Sequence, residues 1–306
     1  MKTVNLGCAG LKVPAIAVGC MRLNTLKKTE AGRFVKAAID MGACFFDHAD
    51  VYGDGACEEL FAEAIGMNPS VREKIFLQSK CGIRKGKAFD FSMKHILASV
   101  DGSLKRLKTD YLDVLLLHRP DALVEPEEVA EAFGILQQTG KVRHFGVSNQ
   151  NPMQIQLLKR YVKQPFVANQ LQLSITHCAM ISQGLHNNMQ DEFAVQRDGN
   201  VLDFCRLNDI TIQPWSPFQH GFFKGVFLDN PEFPKLNACI DGIAKKYSVS
   251  NTTIALAWLL RHPARMQPVT GTMNVKRLKD CVKAADVTLT RDEWYEIFLS
   301  AGNVLP

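Results

Sequence analysis

The feature that most constrains this chain is a regular alternation of short apolar runs with amphipathic stretches. Eight runs read as strands: Ala15 to Gly19, Ala43 to Asp47, Ile75 to Lys80, Leu112 to His118, Val142 to Ser148, Phe166 to Gln170, Ile210 to Trp215 and Gln267 to Gly271. Near-continuous apolar runs fit parallel strands buried on both faces. Helical patterns lie between them. Met93, Ile96, Leu97, Val100, Leu104 and Leu107 recur at three- and four-residue spacing, which makes one helix face apolar. Val129, Ala132, Phe133 and Leu136 do the same in the next unit. Asn274 reads as an N-cap for the helix through Leu278, Val282 and Ala285, and Asn251 as the cap of the helix through Trp258 and Leu259. Trp294, Ile297 and Phe298 predict a last helix after the eighth unit.

Strand–helix–strand alternation implies a parallel sheet. Eight units without a linker imply that it closes into an α/β barrel. A length of 306 residues would allow two domains, but barrels of this kind run about 250 residues as one domain. A single barrel domain over residues 1–306 is therefore expected. The open doubly wound sheet is the rival, and it lacks its glycine fingerprint here: Cys20-Met21-Arg22-Leu23 follows Gly19. Residues 3–14 predict a small hairpin ahead of the first strand. Residues 177–200 read as a polar insertion, and 217–234 as a loop rich in phenylalanine.

Hydrophobic residues at 46% and charged residues at 22% exclude a disordered chain. No run of 18 apolar residues is present, and Met1 to Gly7 lacks the apolar core of a signal peptide, so a cytoplasmic protein with no membrane contact is expected. The nine cysteines are scattered with no CxxC pair, which argues against a zinc knuckle or disulfide framework. A net charge of +5 without a basic run points away from nucleic acid.

Polar residues interrupt the strand pattern at its C-terminal ends: Asp47, Lys80, His118, Ser148-Asn149, Gln170 and Trp215. Barrel closure brings these ends to one rim, where such barrels place their chemistry. Tyr52 follows Asp47 by five residues, within reach of the same mouth. A phenol titrates near 10 and is a poor acid at neutral pH, and a neighbouring ammonium lowers its pKa. Lys80 supplies that charge, Asp47 keeps it protonated, and His118 is placed to hydrogen-bond a substrate oxygen. The set reads as a proton donor facing a carbonyl.

The quoted residues extend into longer motifs: Phe46-Asp47-His48-Ala49-Asp50-Val51-Tyr52-Gly53, Ser79-Lys80-Cys81-Gly82, Leu116-Leu117-His118-Arg119-Pro120-Asp121, Gly140 to Asn149, Asn169-Gln170 and Trp215-Ser216-Pro217. Together they resemble the aldo-keto reductase family over nearly the whole chain. The resemblance implies a TIM barrel, with an N-terminal hairpin and an extra C-terminal helix, that reduces a small aldehyde or ketone with NADPH, or with NADH. It implies Tyr52 as proton donor, Lys80 and Asp47 as its tuning pair, and His118 as the group that orients the carbonyl. Ser148, Asn149 and Gln170 are similar to residues that bind the nicotinamide carboxamide. Trp215 resembles the aromatic that stacks on the ring. Ser216, Phe218 and Gly221 resemble the pyrophosphate clamp, and Gly271, Thr272, Asn274, Arg277 and Asp280 the adenosine end.

Several positions depart from the family pattern. His48 replaces a usual Thr, Trp215 an often-found Tyr, and Phe218-Gln219-His220-Gly221 a common Leu-Gly-x-Gly. A basic residue is missing early in the adenosine segment, which leaves Arg277 to pair with a 2′-phosphate. His48, Asp50, His144, His177 and His186 read as residues behind the site or at the surface rather than metal ligands. Two rivals stay open: a barrel aldolase using Lys80 as a Schiff-base nucleophile, and a non-catalytic NAD(P)H-binding regulatory subunit. The expected partner is a small carbonyl compound. Oligomeric state is left open.

Overall fold

The structure is a computed structural model that describes residues 1–306. Strands β1 (Thr3–Leu6) and β2 (Leu11–Pro14) form the expected antiparallel hairpin. They are followed by β3 (Ala17–Gly19), β4 (Phe45–Asp47), β5 (Phe76–Cys81), a second small hairpin of β6 (Ile83–Arg84) and β7 (Ala88–Phe89), and β8 (Leu112–Leu117). The remaining strands are β9 (Val142–Ser148), β10 (Phe166–Gln172), β11 (Thr211–Trp215) and β12 (Val269–Thr270). Strands β3, β4, β5, β8, β9, β10, β11 and β12 pair in parallel in that order, and β12 pairs back onto β3. This is the closed (β/α)8 barrel, with all eight expected strands in place.

Side chains alternate between the two sides of each strand. Leu115 and Leu117 therefore belong to the large core beneath the surrounding helices, while Val114 and Leu116 point into the barrel. Towards the bottom the interior is apolar: Val114, Phe45 and Val167 pack with Leu6 and Val13 of the hairpin. The hairpin is thus a plug. Gly7 lets it seat, because its φ is +57° and a Cβ there would lie 2.6 Å from the Val167 Cα. The Gly7 N–H donates to Thr211 Oγ1 at 2.8 Å.

The helix predicted from Met93 spans Met93–Leu107, and Asn274 caps Val275–Lys283 by accepting from the Arg277 N–H at 3.1 Å. The cap of Asn251–Arg261 is Ser250, one residue earlier than expected, because its side chain accepts from the Thr253 N–H. The 177–200 insertion is polar as expected but only partly solvated. It contains the helix Ala179–Leu185 and a 3-10 turn Glu192–Ala194. His186 within it is buried away from the cavity wall, which corrects its reading as a residue at the surface or behind the site. Its ring bonds Asp191 Oδ2 at 3.0 Å and the Val304 carbonyl at 2.9 Å, tying the last residues to the insertion. His177 is exposed and His144 half-buried.

The last helix, Arg291–Ser300, docks through two tryptophans. Trp258 and Trp294 stack at 4.8 Å, and each indole N–H donates to the other's backbone carbonyl, at 3.1 and 3.0 Å. Glu293 accepts from Lys246 at 2.6 Å, Tyr247 at 2.8 Å and the Thr290 N–H at 2.7 Å. Desolvation alone would raise its pKa, but these hydrogen bonds outweigh it and bring the carboxyl from 4.5 to about 2. A depressed folded-state pKa stabilises fully above the unfolded value, and the contribution fades as pH falls through the folded one. Glu293→Gln is therefore expected to lower the thermal midpoint at neutral pH. The gap to the parent protein should narrow steadily between pH 4.5 and 2 in a calorimetric series.

Candidate active site

The C-terminal ends of the strands open into a cavity of about 880 Å³. Asp47 ends β4, and Lys80 is the last residue but one of β5. Period two points both inward. The Lys80 ammonium is fully buried beneath the cavity floor and donates to three acceptors: Asp47 Oδ1 at 2.7 Å, the His48 carbonyl at 2.8 Å and Tyr52 Oη at 3.2 Å. An ammonium has three donors, so its valence is filled. Tyr52 opens a short 3-10 turn after β4 and lines the cavity, with the His118 ring edge-on at 5.9 Å.

Burial lowers the Lys80 pKa, but the Asp47 carboxylate, and then the Tyr52 hydroxyl that accepts from it, more than offset this, and the net shift is upward. The lysine is an ammonium with no free lone pair, which removes the Schiff-base aldolase reading. For Tyr52 the expectation of a lowered pKa is corrected. Burial raises it, Lys80 lowers it, and burial prevails. The phenol is thus protonated at neutral pH. His118 is pushed well below 6.5 by burial, then by Lys80 and Arg119, so its imidazole is neutral. Its Nδ1 is buried without a partner.

Of the residues expected to bind cofactor, ten line this cavity: Ser148, Asn149, Gln170, Trp215, Ser216, Phe218, Gly271, Thr272, Asn274 and Arg277. Trp215 is held by its indole N–H donating to Asn149 Oδ1 at 3.2 Å, with Phe222 edge-on and Phe223 tilted against it. Asn149 and Ser216 take φ of +58° and +52°, strained for non-glycine residues and found where loops turn off strand ends. Asn274 and Arg277 sit at the N-terminus of a helix, where backbone N–H groups favour anions. Two residues lie outside the cavity wall. Gly221 turns its carbonyl to Gln172 Nε2 at 2.9 Å, and Asp280 turns its carbonyl to Thr253 Oγ1 at 2.8 Å. The phenylalanine-rich loop divides: Phe218 and Phe223 face the cavity, Phe227 enters the core and Phe222 is exposed.

Sequence reasoning passed over Arg119, Arg22 and Cys281, all in the cavity wall. Arg119 is half-buried and forms no ion pair; its guanidinium lies 5.6 Å from the Trp215 ring centre. Its position immediately after His118 was the available signal. His48 is fully buried with both ring nitrogens unpartnered and packs edge-on to Phe61 at 4.7 Å. Asp50 is raised to about 6, first by burial and then by the neighbouring Glu58.

An indole face, an open amide and a cationic helix end in one cleft are the donor set a dinucleotide needs, so these residues fit that group. The aldo/keto reductase family model matches residues 15–298. An uncharacterized oxidoreductase, YcsN, of Bacillus subtilis (strain 168) is 35% identical over 301 residues, covering 94% of each chain. A 6-dehydroglucose reductase of Agrobacterium fabrum is 32% identical over 279 residues, covering 87% of this chain and 86% of its own. Among solved structures, the thermostable aldo-keto reductase Tm1743, crystallised with the inhibitor epalrestat, superposes with a TM-score of 0.79 at 26% identity, covering 98% of this chain and all of that one. With its barrel, its buried Asp–Lys–Tyr array and these relatives, the chain belongs to the aldo/keto reductase family of NAD(P)H-dependent oxidoreductases.

Proposed function

We propose that the whole chain, 1–306, acts as one catalytic unit that reduces a small aldehyde or ketone to an alcohol, with Tyr52 as the proton donor and NADPH as the preferred cofactor. The observation that carries this reading is the Tyr52 hydroxyl on the cavity wall, backed at 3.2 Å by a buried ammonium that nothing else neutralises except Asp47. The nicotinamide, when bound, supplies a hydride to the carbonyl carbon.

The chain's own residues do the rest. Tyr52 and the neutral His118 approach the substrate oxygen from adjacent sides and stabilise the negative charge that develops there. Tyr52 then passes its proton from Oη to that oxygen. The alkoxide is the stronger base, so a phenol with a raised pKa still donates. Lys80 stabilises the phenolate left behind, and Asp47 keeps Lys80 charged. Trp215, fixed by Asn149, offers a flat face for the ring, and Gln170 an amide for its carboxamide. Arg277 and the helix N-terminus at Asn274 serve the adenosine phosphate.

Apolar side chains such as Met21, Ile83 and Phe223 make up much of the mouth, with Arg119 as its half-buried cation. A half-buried charge without a partner favours a ligand oxygen that supplies one. The fitting substrates are small carbonyl compounds bearing a carboxylate or hydroxyl oxygens. That class includes the kind of substrate named for the 6-dehydroglucose reductases among the relatives.

Three variants test the reading. Tyr52→Phe should lower kcat by about 10²–10⁴-fold with cofactor affinity retained, measured by fluorescence titration; near-parental turnover would remove Tyr52 as the donor. Arg277→Ala should weaken NADPH about tenfold and leave NADH unchanged, and equal titration curves in both proteins would defeat the phosphate assignment. Arg119→Leu should cut kcat/KM for carboxylate-bearing aldehydes about tenfold relative to alkyl aldehydes of the same length. An unchanged ratio would take Arg119 out of substrate selection.

A further inference from the structure

We propose that a column of buried glutamines along the barrel axis, Gln267, Gln213 and Gln78, is a positioning device for Asp47 and, through it, for Lys80 and Tyr52, and that Gln170 joins the column to the cofactor cavity. The proposal rests on the catalytic reading above. Barrel interiors are ordinarily filled by branched apolar side chains, and a buried amide is costly unless bonded. Here four amides, each no more than 3% exposed, run from the hairpin plug up to the ionic site.

Their bonds form one continuous chain. Gln267 Nε2 donates to the Pro14 carbonyl at 2.7 Å, at the end of the hairpin. Gln213 Nε2 donates to Gln267 Oε1 at 2.9 Å and to Gln78 Oε1 at 3.1 Å. Gln213 Oε1 accepts from Gln78 Nε2 at 2.9 Å and from Gln170 Nε2 at 3.2 Å. Gln78 Nε2 and Gln170 Nε2 each carry a second hydrogen to Asp47 Oδ1, at 2.6 and 3.1 Å. The direction of every amide follows from the two ends. The Pro14 carbonyl and the Asp47 carboxylate only accept, so the amides beside them must donate, and the order propagates inward.

Two consequences follow. Asp47 Oδ1 is the common acceptor of Lys80, Gln78 and Gln170, so its place is set from below by the column as well as from above by the lysine. Gln170 has both N–H bonds committed, so only its Oε1 remains for the cavity. It therefore meets the nicotinamide carboxamide as an acceptor of that group's N–H. Occupancy of the carboxamide position and the geometry of Asp47 are thereby joined through one side chain.

Gln213 touches neither Asp47 nor the cavity wall, which makes it the informative position. Gln213→Met keeps its size and removes all four bonds. The groups facing Lys80 are Asp47, Tyr52, His48, His118 and Cys20. Only Asp47 supplies a formal negative charge at neutral pH, so loosening it lets burial pull the ammonium's pKa down. The expected result is a kcat about tenfold lower, a cofactor Kd within about twofold, and an alkaline limb of the kcat–pH profile displaced to lower pH. A merely structural role would lower the melting temperature and leave that limb in place, which would overturn the proposal. A second measurement needs no turnover. In the cofactor-free protein, ¹⁵N NMR should show a hydrogen-bonded Lys80 ammonium, identified by its loss in Lys80→Met. In Gln213→Met, or in Gln170→Met should the former not fold, it should titrate at lower pH; an unchanged titration contradicts the column's role. If the parent protein reduces no carbonyl, the catalytic reading fails, while the ammonium titration still decides the column.

Discussion

Asp47 Oδ1 accepts from one ammonium and two amides at the centre of the barrel, and the organisation of the site follows from that junction. The Lys80–Asp47 pair has side chains 0% and 3% exposed. Removing either partner of such a pair leaves an uncompensated buried charge, a loss of about 3–5 kcal/mol. The pair is tolerated because every donor of the ammonium is used and because two amides add their N–H groups to the carboxylate's Oδ1. One acceptor of that ammonium is the Tyr52 hydroxyl, so the requirement to satisfy a buried charge also fixes the phenol at the cavity wall.

The barrel interior is layered accordingly. The hairpin and inward-facing Val114 and Phe45 form a dry base. Glutamines make a polar middle, and the ionic array forms the top. Each layer is available because strands β4, β5, β8, β10, β11 and β12 present every second residue to one axis. The helices and the C-terminal tryptophan pair support this frame from outside. The loops after β4, β8 and β11 add Tyr52, Arg119 and Phe223 to the cavity wall.

The eight strands were legible because continuous apolar runs are what a strand buried on both faces requires. Asp47, Lys80, His118 and Trp215 stood out because each breaks such a run at its C-terminal end. Gln78 and Gln213 lie two residues before Lys80 and Trp215, on the same side of the same strands, yet they carried no signal of their own. Their partners lie on other strands, and only closure brings them together. Arg119 was hidden for a different reason: a charge beside a strand end is ordinarily solvated, and its half-burial depends on loops remote in sequence. The direction of the Tyr52 shift depended on burial in the closed barrel, which weighs more than the lysine whose charge the sequence displays. Asp280 follows Arg277 by almost one helical turn, but its carbonyl is held by Thr253, and it stays off the cavity wall.

The central claim is that this mouth delivers a proton from Tyr52 while a cofactor bound across it reduces a carbonyl carbon. The most direct measurement is the fate of a label: NADPH deuterated at nicotinamide C4, mixed with the protein and a panel of aldehydes, ketones, dicarbonyls and sugar aldehydes in ordinary water. The account predicts cofactor oxidation with at least one carbonyl class, deuterium from one prochiral face only at the new carbinol carbon, and the hydroxyl proton drawn from solvent-equilibrated groups. Tight cofactor binding with no carbonyl reduced across the panel, or deuterium released to water, would contradict it.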